Sequence, residues 1–118
     1  MLLVDFRPEA ARTPREDLLE NVTRAPLTAP LSAGVPIQAA CFRLAPGGRI
    51  ARHPASVPQI LAVVAGSGWV SGSDGREEEI AAGRAAFWAA GESHETRTGE
   101  GMTAIVLEGE GLRPFAGR

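Results

Sequence analysis

A chain of 118 residues, 44% of them apolar, has room for one domain with a modest core and is not of disordered composition. Its net charge is −2 and its twelve basic residues are all arginines, scattered along the chain, which argues against nucleic-acid binding. No apolar run approaches membrane-span length, and the single cysteine, Cys41, leaves no disulfide framework within the chain.

"MLLVDF" reads as a short strand and meets Arg7, Pro8 and Glu9 at once, so it lacks the shape of a signal peptide and the cytoplasm is the expected location. Residues 13–22 carry helix-start chemistry. Thr13 can cap, Pro14 suits the first helical position, Glu16 completes a capping box, and Leu18, Leu19 and Val22 supply an apolar side. This predicts a helix of about two turns. "RAPLTAPLSAGVP" follows as a loop or extended arm.

From Val35 onward, short strands alternate with glycine turns. "PIQAACFRLA" is a strand closed by "PGG". "VPQILAVVAG" is apolar enough to be buried on both faces, and "GWVSG" is the next strand. "SDG" is a hairpin signal; "REEEIAA", "RAAFWAA", "HETRT" and "MTAIVLEGE" complete the series. The spacing is that of an all-β sandwich or barrel. The division expected is residues 1–34 for the N-terminal strand, helix and arm, and 35–118 for the barrel, in one domain overall.

The chain has two histidines, and each sits in a patterned stretch. Gly47 is followed by five residues and His53, then Ala55, Gln59 and Gly66. Gly83 is followed by five residues and Ala89, then Gly91, His94 and Thr98. In these spacings the chain resembles the cupin superfamily, over roughly Ile37 to Glu110, and is similar to its small single-domain members. The resemblance implies a jelly-roll β-barrel. It also implies a metal site of three histidines and one glutamate, of which this sequence keeps His53 and His94. The second histidine is replaced by Ala55 and the glutamate by Gln59; Ala89 and Thr98 replace the proline and asparagine of the second motif.

On an extended strand, His53, Ala55, Val57 and Gln59 would share a face, with His94 approaching from the facing strand. Two imidazoles suit zinc, copper, iron or nickel, and the cofactor expected, if there is one, is a single divalent transition metal (zinc, iron, nickel or manganese), but a neutral amide is a poor third ligand. Glu92, in phase with His94, and Cys41 are possible supplements; Glu95 is out of phase. Without a metal, His53, Gln59 and His94 can form a hydrogen-bonding cluster. Trp69 and Trp88 are candidates for stacking on a ligand, or else for core and pocket wall together with Phe87. Cys41 otherwise reads as a buried, inert thiol, and Glu77 to Glu79 as a solvated face. "GSGWVSG" lacks the third glycine and the following helix of a nucleotide-binding loop, and no nucleophilic serine is indicated.

Two functions stay open. The first is a small-molecule-binding barrel, metal-free or with a weakened metal site. The second is a metal-dependent enzyme of the dioxygenase or isomerase type using His53, Gln59 and His94. Proton shuttling by a histidine and a purely structural barrel rank behind these. A homodimer is the default assembly.

Overall fold

In a computed structural model the structure describes residues 1–14 and 20–115. It is nearly all β: β1 (Leu2–Asp5), a 3-10 turn (Pro8–Ala10), β2 (Gln38–Leu44), β3 (Arg49–Pro54), β4 (Gln59–Ser71), β5 (Glu77–Ala81), β6 (Arg84–Trp88), β7 (Ser93–Arg97) and β8 (Met102–Glu108). All pairings between strands are antiparallel.

The organising element is β4. "VPQILAVVAG" and "GWVSG", expected as two strands, form one strand of 13 residues. Its first half pairs with β6 and β8; its second half pairs with β5 and β7. The register against β8 shifts between Val63 and Ala65, and Gly66 follows at φ 78°. The strand bends there and passes from one half of the sheet to the other, as bulges and glycines allow. β1 borders β6 and β2 borders β8 on one side, while β3 borders β7 on the other. β2 and β3 follow one another in sequence yet pair with different neighbours, so the sheet wraps over itself and stays open between them.

Alternation sets the interior. On β8, Met102, Ala104 and Val106 are buried while Thr103, Ile105 and Leu107 are less so. These inward residues join Leu61, Val63, Val70, Ile80, Ala86 and Trp88 in the main core. The other face of β4 buries Ile60 and Ala62 against Val4, Ala85 and Leu112, where Phe6, Leu27 and Ile37 also pack. The apolar run of β4 is buried on both faces from Ile60 to Val63, but Val64, 49% exposed, and Ala65 lie at the surface.

The helix expected over 13–22 is not borne out. Thr13, Pro14 and Glu20 to Val22 are not helical, Asn21 lies at φ 55°, and residues 15–19, which carry Glu16, Leu18 and Leu19, lie outside the described residues. Arg12 and Arg24 exchange main-chain hydrogen bonds of 2.9 and 2.7 Å. Val22, meant for the apolar face, is 40% exposed. Capping chemistry sustains a short helix only when packing supports it. The stretch 24–36, expected as a loop or extended arm, holds no helix or named strand and makes an isolated bridge from Thr28 to Pro114. Among the described residues no helix is long and apolar enough to cross a membrane.

Candidate functional site

The two histidines meet. His53 on β3 and His94 on β7 are direct register partners, and their ring centroids are 4.4 Å apart at 52°. His94 stacks in turn on Trp88, 4.4 Å away at 30°. Trp88 is fully buried and donates its indole N–H to the carbonyl of Ser71 at 3.2 Å. His94 is buried and His53 is exposed, so the stack of three rings runs from the core to the surface.

Hydrogen bonding sets the tautomers. His53 Nδ1 lies 2.7 Å from the carbonyl of Ala51, and His94 Nδ1 lies 3.1 Å from the carbonyl of Glu92. A carbonyl only accepts, so each Nδ1 carries the proton and donates it. Each neutral ring then keeps a lone pair on Nε2.

Both histidines border a cavity of about 110 Å³ with Gln59 and Trp88. Thr96 and Glu108 complete its polar lining, and Phe42, Ile50, Leu61 and Val106 supply the apolar wall. Of the residues singled out in the sequence, the fold thus gathers His53, Gln59, His94 and Trp88. Glu108 was missed, although a signal existed: Met102, Ala104, Val106 and Glu108 form one period-2 series, and the inward stripe ends in a carboxylate. Thr96 is likewise in phase with His94.

Other expectations are corrected. His53 and Gln59 do not share a strand. Pro54 ends β3, and Ala55 to Pro58 make the connection to β4. A proline cannot donate to a ladder, so the pair at 54 and 58 brackets a turn. Ala55 is buried there, donating its N–H to the carbonyl of Glu92 at 3.0 Å and accepting from Gly91 N–H at 2.6 Å; it does not line the cavity. Glu92 is engaged elsewhere. Its Oε2 lies 2.6 Å from the Met1 ammonium, and its Oε1 accepts from Ala89 N–H at 3.1 Å. Glu95 faces away, as its phase indicates, towards Arg49 and Arg52.

Cys41 is exposed, not buried, and alternates with the cavity-lining Phe42 on β2, so it faces away from the cavity. Trp69 lies apart from the histidines. It borders an outer groove of about 430 Å³ with Arg7, Glu79 and Arg84, and the Arg97 guanidinium stacks 4.1 Å from its ring centre.

No protein-family model and no curated protein matches the chain. Solved structures do. An RmlC-like cupin from Shewanella frigidimarina aligns with a TM-score of 0.60 at 20% identity, over 63% of this chain and 66% of that one. The fold is the cupin fold. A polyketide cyclase from Streptomyces resistomycificus gives a TM-score of 0.57 at 26% identity, over 70% of this chain and 63% of that one. A DMSP lyase from Ruegeria pomeroyi gives 0.58 at 22% identity, over 62% of this chain and 38% of that one. This cupin-fold chain spans less than two thirds of the length of each of the three.

The metal that the cupin resemblance implies does not fit the residues present. Stable sites use three or four converging protein ligands, at distances near 2 Å. Here the turn that carries Ala55 supplies no imidazole, and Gln59 offers a neutral amide. Among the described residues no three or more His, Cys, Asp or Glu side chains are grouped to hold one ion.

Burial lowers the pKa of His94 below the ordinary histidine value. Its hydrogen bond to the Glu92 carbonyl works in the opposite sense without prevailing, and the neighbouring His53 adds to the lowering. Burial alone would raise Glu92, but hydrogen bonds from the Met1 ammonium and Ala89 N–H bring it below the ordinary carboxylate value. The signs differ in origin and agree in direction. Below about pH 6.5 the unfolded chain takes up a proton at residue 94 that the folded chain resists, so stability falls from there towards the lowered folded value. The contribution of Glu92 is present above its unfolded pKa and is lost, further down, as pH falls through its lowered folded value. Urea midpoints measured from pH 8 to 2 should decline in these two windows, and His94→Gln should remove the upper one. An upper decline that survives His94→Gln would refute the assignment.

Proposed function

We propose that this chain is a cupin-fold module that binds a small molecule in the cavity beside His53, Gln59 and His94, without a resident metal. The observation that carries this reading is the cavity itself, bordered by two imidazoles whose Nδ1 atoms are fixed by hydrogen bonds and whose Nε2 atoms have no hydrogen-bond partner among the described residues, an amide, a carboxylate and an apolar wall. At about 110 Å³ it is well below the roughly 300–1,000 Å³ of drug-sized pockets. It suits a molecule of a few heavy atoms, or one end of a larger one. The hydrogen bonds from each Nδ1 and the contact with buried Trp88 pre-organise the rings, which lowers the entropy lost on binding.

The test is elemental analysis of the protein purified without affinity tag or chelator, before and after soaking with iron, zinc, nickel and manganese. The expected result is far less than one equivalent of metal per chain in either state. Near one equivalent, lost in His53→Ala, would overturn the proposal and select the metal-dependent dioxygenase or isomerase reading instead.

A further inference from the structure

The lining of the cavity also constrains the charge of what enters it. Among the described residues no arginine borders the cavity. In the neutral rings, where each Nδ1 holds the proton, the Nε2 atoms of His53 and His94 are acceptors. The Glu108 carboxylate is an acceptor as well, and no hydrogen bond within the described residues occupies it. Only the Gln59 amide and the Thr96 hydroxyl can donate. A carboxylate or phosphate would enter a site with few donors and a like charge, and it would lose its hydration without replacement. A primary ammonium has three N–H donors and no acceptor. It matches the lining.

We propose that the cavity is a recognition site for a small primary ammonium with a short apolar tail. The ammonium would bond to Glu108 and the histidine Nε2 atoms, and the tail would lie against Phe42, Leu61 and Val106. The burial that keeps His94 neutral supports its role as an acceptor. An ammonium tolerates acceptors that are spread around a cavity, at hydrogen-bond distances near 2.9 Å, where a metal ion needs them converged near 2 Å. The set that fails to hold a metal can therefore still hold an organic cation. Glu108 is the specificity-determining residue in this assignment, and the inference rests on the binding reading above.

The test is an NMR titration of the metal-free protein at neutral pH with n-butylamine, butyrate and 1-butanol, probes of similar size that differ in charge. The expected result is saturable shifts at residues bordering the cavity with n-butylamine only. A bond to a charged group is worth enough that Glu108→Gln, which keeps the shape, should weaken this binding about tenfold or more. Ile105→Gln on the outward face of β8 should not change it. Butyrate or 1-butanol binding as well as n-butylamine would overturn the ammonium assignment while leaving a binding cavity. Unchanged n-butylamine affinity in Glu108→Gln, with the fold intact by its NMR spectrum, would overturn the role of Glu108. If no probe binds, the ammonium assignment falls, while the metal-free binding reading is decided separately by the elemental analysis above.

Discussion

Trp88→Ala is expected to destabilise the domain by about 3–5 kcal/mol, the range for removing a fully buried tryptophan. Trp88 is 0% exposed and belongs to the main core. Its removal opens a void between the halves of the sheet, leaves the carbonyl of Ser71 without its indole donor, and strips His94 of the surface on which it stacks. For a domain whose total stability is on the order of 5–15 kcal/mol, that loss is a large fraction. Urea denaturation would show it as a lowered midpoint. Trp88→Phe keeps part of the packing and should lose less. A Trp88→Ala midpoint within about 1 kcal/mol of the parent would mean that the site collapses and that Trp88 is not a structural base for His94.

The second large effect is expected at Gly66. Its φ of 78° lies in the left-handed region, and a Cβ there would drive into the carbonyl oxygen of Gly101, the residue just before β8. The conformational strain is worth about 1–3 kcal/mol and the forced backbone shift about as much again. Gly66→Ala should therefore cost roughly 2–6 kcal/mol. Gly75 provides the control. It has a similar φ of 74°, but a Cβ added there meets nothing within 4 Å. Gly75→Ala should show the conformational part alone, about 1–3 kcal/mol. Equal losses at the two positions, by urea midpoint, would show that the clash with Gly101 is relieved cheaply and that the bend in β4 is not held there.

These two residues also show why the motif spacing reveals a fold more readily than a reaction. Gly66 ends the first motif because β4 must bend there beside Gly101 and Met102; that requirement belongs to the backbone, whatever the cavity binds. The positions of Ala55 and Gln59 carry no such requirement. Each can change its chemistry while the strands around it stay in place. Ala55 sits in a proline-bracketed turn, tied by its own main chain to Gly91 and Glu92. Gln59 is anchored by ladder pairing to Trp88 and Glu108.

Most strands were legible because their signals are local. Period-2 alternation marks β8, the unbroken apolar run marks the first half of β4, and the Asp74-Gly75 turn marks the hairpin between β4 and β5. The helix over 13–22 was misjudged for the same reason. Thr13 and Pro14 are local signals too, but a short helix depends on packing that local signals do not report. Glu108 went unnoticed because it lies outside both histidine motifs.

The amino-acid sequence alone pointed to an all-β chain, to most of its strands in order (β3 excepted, and β4 as two strands rather than one), to the turns between them, and to two histidine stretches in cupin-like spacing. These follow from backbone periodicity and turn chemistry, which act over a few residues. Only the tertiary structure decided that His53 and His94 stack in register on Trp88, that Glu108 joins them while Glu92 and Trp69 do not, and that the cavity is lined mainly by acceptors. Those facts arise from strands distant in sequence becoming neighbours. Which side chains then share a cavity depends on register and on the bend of β4, and no stretch of the chain encodes either alone.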